Sequence, residues 1–284
     1  MTGGGVDHSR TDVADMEILH AIILGIVQGI SEFLPISSSG HLVIVGALLD
    51  QSSGTTSDDA SNLLMNVVLH TGTLFSILII YRKEVLKLRL QPKVCLLIVV
   101  ASVPAGLLGI QAKGFFGVVF GTPLVVGVAL FVTAGLLLGG RRLERNELNY
   151  DQLSFGKALV IGLFQAAALI PGISRSGSTV SCGLALGLKR ESAATFSFLM
   201  SIPVIGGAAL LEMMEVLSGE TVVGDPLPYL VGGITAFLVG LVTLRWLVSL
   251  IARGRLHLFA YYCVGVGTAT VIWQLFASVA SIPQ

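Results

Sequence analysis

The chain is predicted to be an all-α polytopic membrane protein, with six transmembrane helices and two re-entrant helix pairs in an inverted-topology repeat. Three observations predict this. Of 284 residues, 54% are hydrophobic and 12% charged, about half the charge of a soluble domain. Six apolar stretches, at about 63–81, 94–112, 116–139, 195–213, 228–250 and 257–280, reach the 17–25 or so residues that a helix needs to cross a bilayer. Two further regions, 18–49 and 158–188, are apolar but interrupted by Pro/Gly/Ser-rich breaks, Pro35 to Gly40 and Pro171 to Ser178.

The elements follow in chain order. Residues 1–17, "MTGGGVDHSRTDVADME", are polar and mildly acidic without a basic run before an apolar core. They are expected to be a disordered extension rather than a cleaved leader. A single integral-membrane domain is expected over 18–280, with repeat halves of about 18–139 and 156–280. In each interrupted region the pieces 42–49 and 158–170 are too short to cross. Irregular backbone at membrane depth survives only inside protein or along a wet cavity, so each region is expected to be a re-entrant pair.

Loop charges orient the six spans. Loop 82–93 carries Arg82, Lys83, Lys87, Arg89 and Lys93; loop 141–157 carries Arg141, Arg142, Arg145 and Lys157; loop 251–256 carries Arg253 and Arg255. Loops 50–62 and 214–227 have acids and no lysine or arginine. Basic loops favour the cytoplasmic side, which puts both termini outside and makes the two re-entrant pairs enter from opposite faces. "GIVQGISEFLPISSSG" (25–40) also lies over "GLFQAAALIPGISRSG" (162–177) without a gap, matching at six of sixteen positions, among them Gln28/Gln165, Ser37/Ser174, Ser39/Ser176 and Gly40/Gly177. Three spans follow each copy, and an odd number of crossings inverts the second copy. Inverted repeats of this kind bring their broken helices to a shared site near the midplane.

That arrangement accounts for two charges that are otherwise out of place. Glu32 is the only charged residue between Glu17 and Asp50, and Arg175 the only one between Lys157 and Lys189. A carboxylate at the centre of a spanning helix costs about 2.5–3.5 kcal/mol on insertion scales, so it is expected to be paired, protonated or bound to a metal. Gln28 and Glu32 are i and i+4 on one helix face. In "PGISRSGST" the glycines, Gly172 among them, permit turns closed to other residues. The helix beginning near Ser176 offers free N–H groups to an anion, and Arg175 adds a planar donor fork suited to phosphate. Ser174, Ser176, Ser178 and Thr179 are either further donors or plain caps. In "PISSSGH", Ser38 and His41 stand three apart, where a turn would let histidine act as base for a serine nucleophile; capping by Ser37 and a backbone bond from His41 is the alternative. Together these groups suit phosphoryl transfer on a lipid-tailed ester, with a divalent cation on Gln28 and Glu32 bridging to the phosphates.

These residues carry a resemblance. "QGISEFLPISSSGH" resembles the (E/Q)xxxE–PxSSxGH segment of the undecaprenyl-diphosphate phosphatase family of the bacitracin-resistance type, and "PGISRSGST" its PGxSRSxxT motif; "ASVPAG" (101–106) and "FSFLMSIP" (196–203) are similar too. The resemblance covers about 17–280. It implies removal of the terminal phosphate of undecaprenyl diphosphate, recycling the lipid carrier for peptidoglycan and other envelope polymers, with associated bacitracin resistance and dependence on Mg²⁺ or Ca²⁺. By motif, Gln28 and Glu32 fall on the metal pair, Ser38 and His41 on the serine–histidine positions, and Ser174, Arg175, Ser176 and Thr179 on the phosphate-binding motif. Gln28 stands where many members have glutamate, which leaves Glu32 as the main metal ligand. Ser38 is the implied nucleophile with His41 its base; attack by water or by His41 itself stays open. The acid-phosphatase-like lipid phosphatases need a histidine shortly after their Ser-Arg element, and here none follows Arg175 until His257.

A carrier of a lipid phosphate or small anion is the rival reading, since inverted repeats with broken helices also build transporters; the serine–histidine pair favours chemistry. The expected partners are the polyprenyl diphosphate and membrane lipids. A homodimer fits the small-residue run "GLLLGG" (135–140). Zero formal net charge excludes a general nucleic-acid binder. The expected location is the inner membrane, with the site opening outward. His70 either reaches the cavity or bonds a neighbouring helix, Ser197 and Ser201 are expected in helix packing, and Cys95, Cys182 and Cys263 are expected to be small apolar residues.

Overall fold

The computed structural model describes residues 8–53, 59–111, 121–218 and 225–280. Eleven α-helices run through them: α1 (His8–Ser31), α2 (Ser38–Ser53), α3 (Asp59–Ile80), α4 (Arg82–Leu88), α5 (Pro92–Gln111), α6 (Pro123–Arg142), α7 (Phe155–Ala167), α8 (Arg175–Ala185), α9 (Arg190–Ser218), α10 (Pro226–Ala252) and α11 (Leu258–Ala280). Six of them contain segments long and apolar enough to cross a membrane: Leu63–Ile80, Pro92–Gln111, Pro123–Arg142, Arg190–Ser218, Pro226–Ala252 and Leu258–Ala277. Their outer faces expose Val99, Val128, Phe131, Val132, Val242, Trp246 and Phe276, a surface that only lipid covers without penalty. The protein is an all-α, multi-pass membrane protein.

Local chemistry sets the ends. Thr122 caps α6, with Pro123 in the first turn, which explains why this span begins later than the hydropathy pattern suggests; the expected start at 116 lies outside the described residues. Asp225 accepts from the Leu227 N–H and Pro226 follows it at the start of α10. Both use a cap and a proline where the free N–H groups need no helix partner. Residues 8–17, expected in an extension, are helical as the opening of α1, and residues 1–7 lie outside the description, as does 54–58 of the loop "DQSSGTTSDDAS". The basic loop 82–93 holds the short helix α4.

The two interrupted regions are helix–break–helix units, α1/α2 and α7/α8, and each half packs against the other. α1 lies on α10 while α7 lies on α5; α3 also lies on α10 while α9 lies on α5. The exchange relies on glycine at equivalent repeat positions. A Cβ on Gly25 would come 2.7 Å from the Gly232 carbonyl oxygen, and one on Gly162 would overlap the backbone of Ala101. Gly162→Ala is therefore expected to lower the melting temperature in detergent by about 2–6 °C, from one to three kcal/mol of overpacking at about 2 °C per kcal/mol for a chain of this size. Gly106→Ala on α5, where a Cβ meets nothing within 4 Å, is expected to cause no fall. Thermal melts of the two variants check this.

The breaks themselves are built alike and touch. Ser37 Oγ accepts from the Gly40 N–H at 3.3 Å, and Ser174 Oγ from the Gly177 N–H at 3.0 Å. Ser39 and Ser176 hydroxyls stand 3.4 and 3.2 Å from those capping oxygens. Across the two breaks, the Gly172 N–H donates to Ser37 Oγ at 3.0 Å and Ser176 Oγ donates to the Leu34 carbonyl at 3.2 Å. Thr133 of α6 adds a donor to the Gly172 carbonyl at 2.8 Å and accepts from the Ser174 N–H at 2.9 Å. Every such bond removes a polar group that apolar surroundings would otherwise penalise by a few kcal/mol. Ser37 adopts φ 72° and Gly172 φ 97°, and the shared bonds hold the serine in a left-handed conformation it would otherwise avoid.

Beneath the breaks lies the core. Phe33 meets Phe198 edge-on at 5.9 Å, and Tyr81 stacks obliquely on the same ring at 5.8 Å. At another end of the bundle, Arg190 pairs with Glu144 at 2.6 Å, Lys157 donates to the Leu186 carbonyl at 2.8 Å, and Leu148 bridges Leu188. This fastens the 143–154 connection to the turn after α8.

Candidate active site

Glu32 stands one residue past α1, with its amide still bonded to the Gln28 carbonyl at 2.9 Å, so the last turn of the helix aims the carboxylate at the break. Its side chain is 6% exposed. Burial of that degree requires partners, and the carboxylate has three. Arg175 Nη2 donates to Oε1 at 2.7 Å, while Ser38 Oγ at 2.7 Å and Gln28 Nε2 at 3.2 Å donate to Oε2. His70 Nε2 lies 3.8 Å from the same Oε2. The two charges that stood alone in the sequence are thus one ion pair across the halves. In the repeat, Ser38 and Arg175 occupy equivalent positions, and the structure sets them on the two oxygens of one carboxylate.

The expected contact between Ser38 and His41 is not formed. Ser38 is the first residue of α2 and turns its hydroxyl back to Glu32. His41 bonds the Ser37 carbonyl through Nδ1 at 2.8 Å and the Tyr262 hydroxyl through Nε2 at 2.9 Å, and its ring stacks on Tyr262 at 5.7 Å. A carbonyl only accepts, so Nδ1 carries the proton and Tyr262 donates to Nε2. Both histidine nitrogens are occupied, and Glu32, not His41, is the partner of the Ser38 hydroxyl. Tyr262 was missed: it follows His41 by 221 residues, and an aromatic residue near a span end ordinarily marks only the membrane interface. Tyr262→Phe removes that donor and is expected to lower the phosphatase activity that the resemblance implies about three- to tenfold in kcat/KM, with little change in melting temperature, measured by steady-state kinetics and thermal melting.

The second break supplies less open chemistry than expected. Ser174 caps α8, Ser176 donates to Leu34, Gly172 is bonded to Ser37, and Thr179 bonds both the Arg175 carbonyl at 2.8 Å and Ser197 Oγ at 2.6 Å. These residues are buried, and in this structure they hold Arg175 in place. Arg175 Nη1 is different: it is buried without a partner, a donor left for an anion. Ser197, expected only in packing, anchors Thr179, while Ser201 bonds the Phe198 carbonyl as a packing residue would. Gln165, the repeat counterpart of Gln28, reaches the Ala101 carbonyl at 3.4 Å and stays out of the site.

The residues at Glu32 fit a hard divalent cation. Gln28 is wholly buried with its Nε2 on the carboxylate and its Oε1 without a partner; turning the amide over would set an oxygen beside Glu32 where a cation would sit. Among the described residues no three His, Cys, Asp or Glu side chains converge. One carboxylate plus substrate oxygens is the usual way such sites hold Mg²⁺.

The fold and the site define an integral membrane protein with a buried carboxylate–arginine–serine cluster enclosed between two broken helices. A model of the family described as "Bacitracin resistance protein BacA" matches residues 21–269. Similar proteins include the undecaprenyl-diphosphatase of Rhodopirellula baltica, 41% identical over 91% of this chain and 99% of that protein. Those of Bacteroides thetaiotaomicron, 39% identical over 92% and 100%, and Methanosphaera stadtmanae, 38% identical over 90% and 98%, are comparable. The chain belongs to the BacA family.

Proposed function

We propose that the protein hydrolyses undecaprenyl diphosphate to undecaprenyl phosphate and inorganic phosphate, recycling the carrier for envelope synthesis and conferring the bacitracin resistance that the family's name describes. The observation that carries this is the carboxylate of Glu32 holding the Ser38 hydroxyl on one oxygen and Arg175 on the other, at two broken helices packed against the membrane-spanning ones. A site of that depth and polarity suits a phosphorylated headgroup whose tail stays in lipid.

Arg175 binds the terminal phosphate through Nη1, its unused donor, while Nη2 stays on Glu32. Ser38 Oγ, oriented by Glu32 Oε2, attacks the terminal phosphorus, the bridging P–O bond breaks, and the hydroxyl proton leaves on the departing undecaprenyl phosphate. Water then hydrolyses the serine-bound phosphoryl group and restores the Ser38 hydroxyl. Phosphoryl transfer is mostly a matter of positioning and charge neutralisation, so a serine oriented by Glu32 beside an arginine suffices. Gln28 and Glu32 would hold a divalent cation, Mg²⁺ or Ca²⁺, which supplies positive charge against the phosphate oxygens. His41 borders Ser38 on α2 and lines the headgroup's path with Tyr262. The loop charges support an inner-membrane site opening outward, with the two units re-entering from opposite faces. Gly135 and Gly139 of α6, where a Cβ meets nothing within 4 Å, form a small-residue face on which a homodimer can pack.

The test is phosphate release from undecaprenyl diphosphate by purified protein in detergent, with Mg²⁺ and with chelator. Ser38→Ala is expected to reduce release about a hundredfold, within the range for an activated nucleophile and its proton transfer. Rapid acid quench should recover phosphoserine at position 38 from the wild type. An unchanged rate in Ser38→Ala would assign the attack to water. No release from folded wild type would reject the phosphatase and favour a carrier, which needs two compartments to show its activity.

A further inference from the structure

We propose that His70 is a nitrogen ligand of the divalent cation, making with Glu32 and Gln28 a mixed nitrogen–oxygen site; this rests on the metal-assisted phosphatase reading above. His70 lies on α3, outside both broken helices and both motifs, and its ring geometry argues for the role. Nδ1 stands 2.9 Å from the carbonyl oxygen of Asn66, one turn earlier. That oxygen only accepts, so Nδ1 carries a hydrogen and Nε2 is the nitrogen through which the ring would bind a cation.

That nitrogen faces another acceptor. Nε2 is 3.8 Å from Glu32 Oε2, too far for a hydrogen bond. Two neighbouring donor atoms each about 2.1 Å from one ion lie about 3.0 Å apart in an octahedral shell and about 3.4 Å in a tetrahedral one, so the two side chains need to close by only about 0.4–0.8 Å to share an ion. Gln28 brings a third acceptor, its Oε1, buried and unpartnered on the side chain whose Nε2 already touches Glu32 Oε2. Turning that amide over exchanges a 3.2 Å hydrogen bond for an oxygen ligand.

His41 makes the contrast. It uses the same local device, Nδ1–H to the carbonyl four residues earlier, yet its Nε2 receives the Tyr262 hydroxyl. Among the described residues nothing donates to His70 Nε2. The His70 side chain is 31% exposed, so an ion has a path to it.

An imidazole in the ligand set shifts preference toward Mn²⁺ and Co²⁺ and away from Ca²⁺, which favours an all-oxygen shell. The experiment uses full-length protein in detergent, labelled with ¹⁵N-histidine, with Mn²⁺ titrated in the presence of inorganic phosphate to supply the oxygens the protein lacks. Spin-echo spectroscopy of bound Mn²⁺ is expected to show coupling to one histidine nitrogen. His70→Gln is expected to abolish the coupling and weaken Mn²⁺ binding at least about tenfold, with Ca²⁺ binding changed far less; His41→Gln is expected to keep the coupling. Coupling that survives His70→Gln, or bound Mn²⁺ with no nitrogen coupling in the wild type, overturns the assignment and leaves an oxygen-only site. No bound Mn²⁺, with phosphate release unaffected by chelator, overturns it together with the metal requirement and leaves the phosphatase standing. Loss of phosphate release from the wild type would instead reject the phosphatase reading itself.

Discussion

Arg175→Ala is expected to lower phosphate release from undecaprenyl diphosphate at least about a thousandfold, the lower end of what an arginine contributes when it stabilises a transferring phosphoryl group. Arg175 opens α8, and its backbone carbonyl accepts from Thr179 while Nη2 is held by Glu32 at 2.7 Å. The guanidinium is therefore fixed before substrate arrives, with Nη1 buried and unpartnered. In the second break Ser174, Ser176 and Thr179 are already bonded within the protein; Ser178 Oγ is also buried without a partner, but it carries no charge. Arg175→Lys keeps the charge but loses the planar fork that serves carboxylate and phosphate together, and should recover only a small part of the rate. The measurement is steady-state phosphate release in detergent at saturating Mg²⁺. Activity within tenfold of wild type in Arg175→Ala would show that the phosphate is bound elsewhere.

The second large effect concerns stability. Glu32→Ala leaves the Arg175 charge enclosed without its counter-ion. With side chains 6% and 15% exposed, the pair counts as buried, and breaking such a pair from one side costs about 3–5 kcal/mol. For a chain of this size that corresponds to a fall of about 10 °C in melting temperature. Removing both charges, Glu32→Ala with Arg175→Met, should restore most of that loss, since no unpaired charge remains, while activity stays absent. Thermal melting of the two single variants and the double variant, alongside phosphate release, gives the coupling directly. A double variant as unstable as the sum of the singles would mean that the two residues do not stabilise each other.

Much of this site was legible beforehand because charge is conspicuous in apolar sequence. Glu32 and Arg175 stood alone in their segments, and the internal match between 25–40 and 162–177 placed them on equivalent elements facing each other. The equivalence of Ser37 with Ser174 and of Gly40 with Gly177 proved to be one capping device used twice. What the linear order hid were contacts chosen by side-chain direction. Positions 38 and 41 are close in sequence, yet Ser38 points to the preceding helix and His41 to α11. Tyr262 and His70 lie on spans without a polar motif, so only the packing of α11 and α3 brings them near. Ser174, Ser176 and Thr179 looked like phosphate donors because hydroxyls near an arginine resemble an anion site, but the apolar surroundings required them for backbone groups first.

The joined breaks also set a timetable for making the protein. Ser37 waits for Gly172 and Glu32 waits for Arg175, partners that lie 135 and 143 residues further along the chain. At a synthesis rate of about 5–20 residues per second, the first half spends about 7 to 30 seconds at the bilayer with its carboxylate lacking a counter-ion and its loop lacking the bond from Gly172. During that interval the cell holds an incomplete membrane segment carrying an acid it cannot bury cheaply. Variants that slow the arrival of the second half are therefore expected to lower the yield of folded protein before any effect on catalysis is seen.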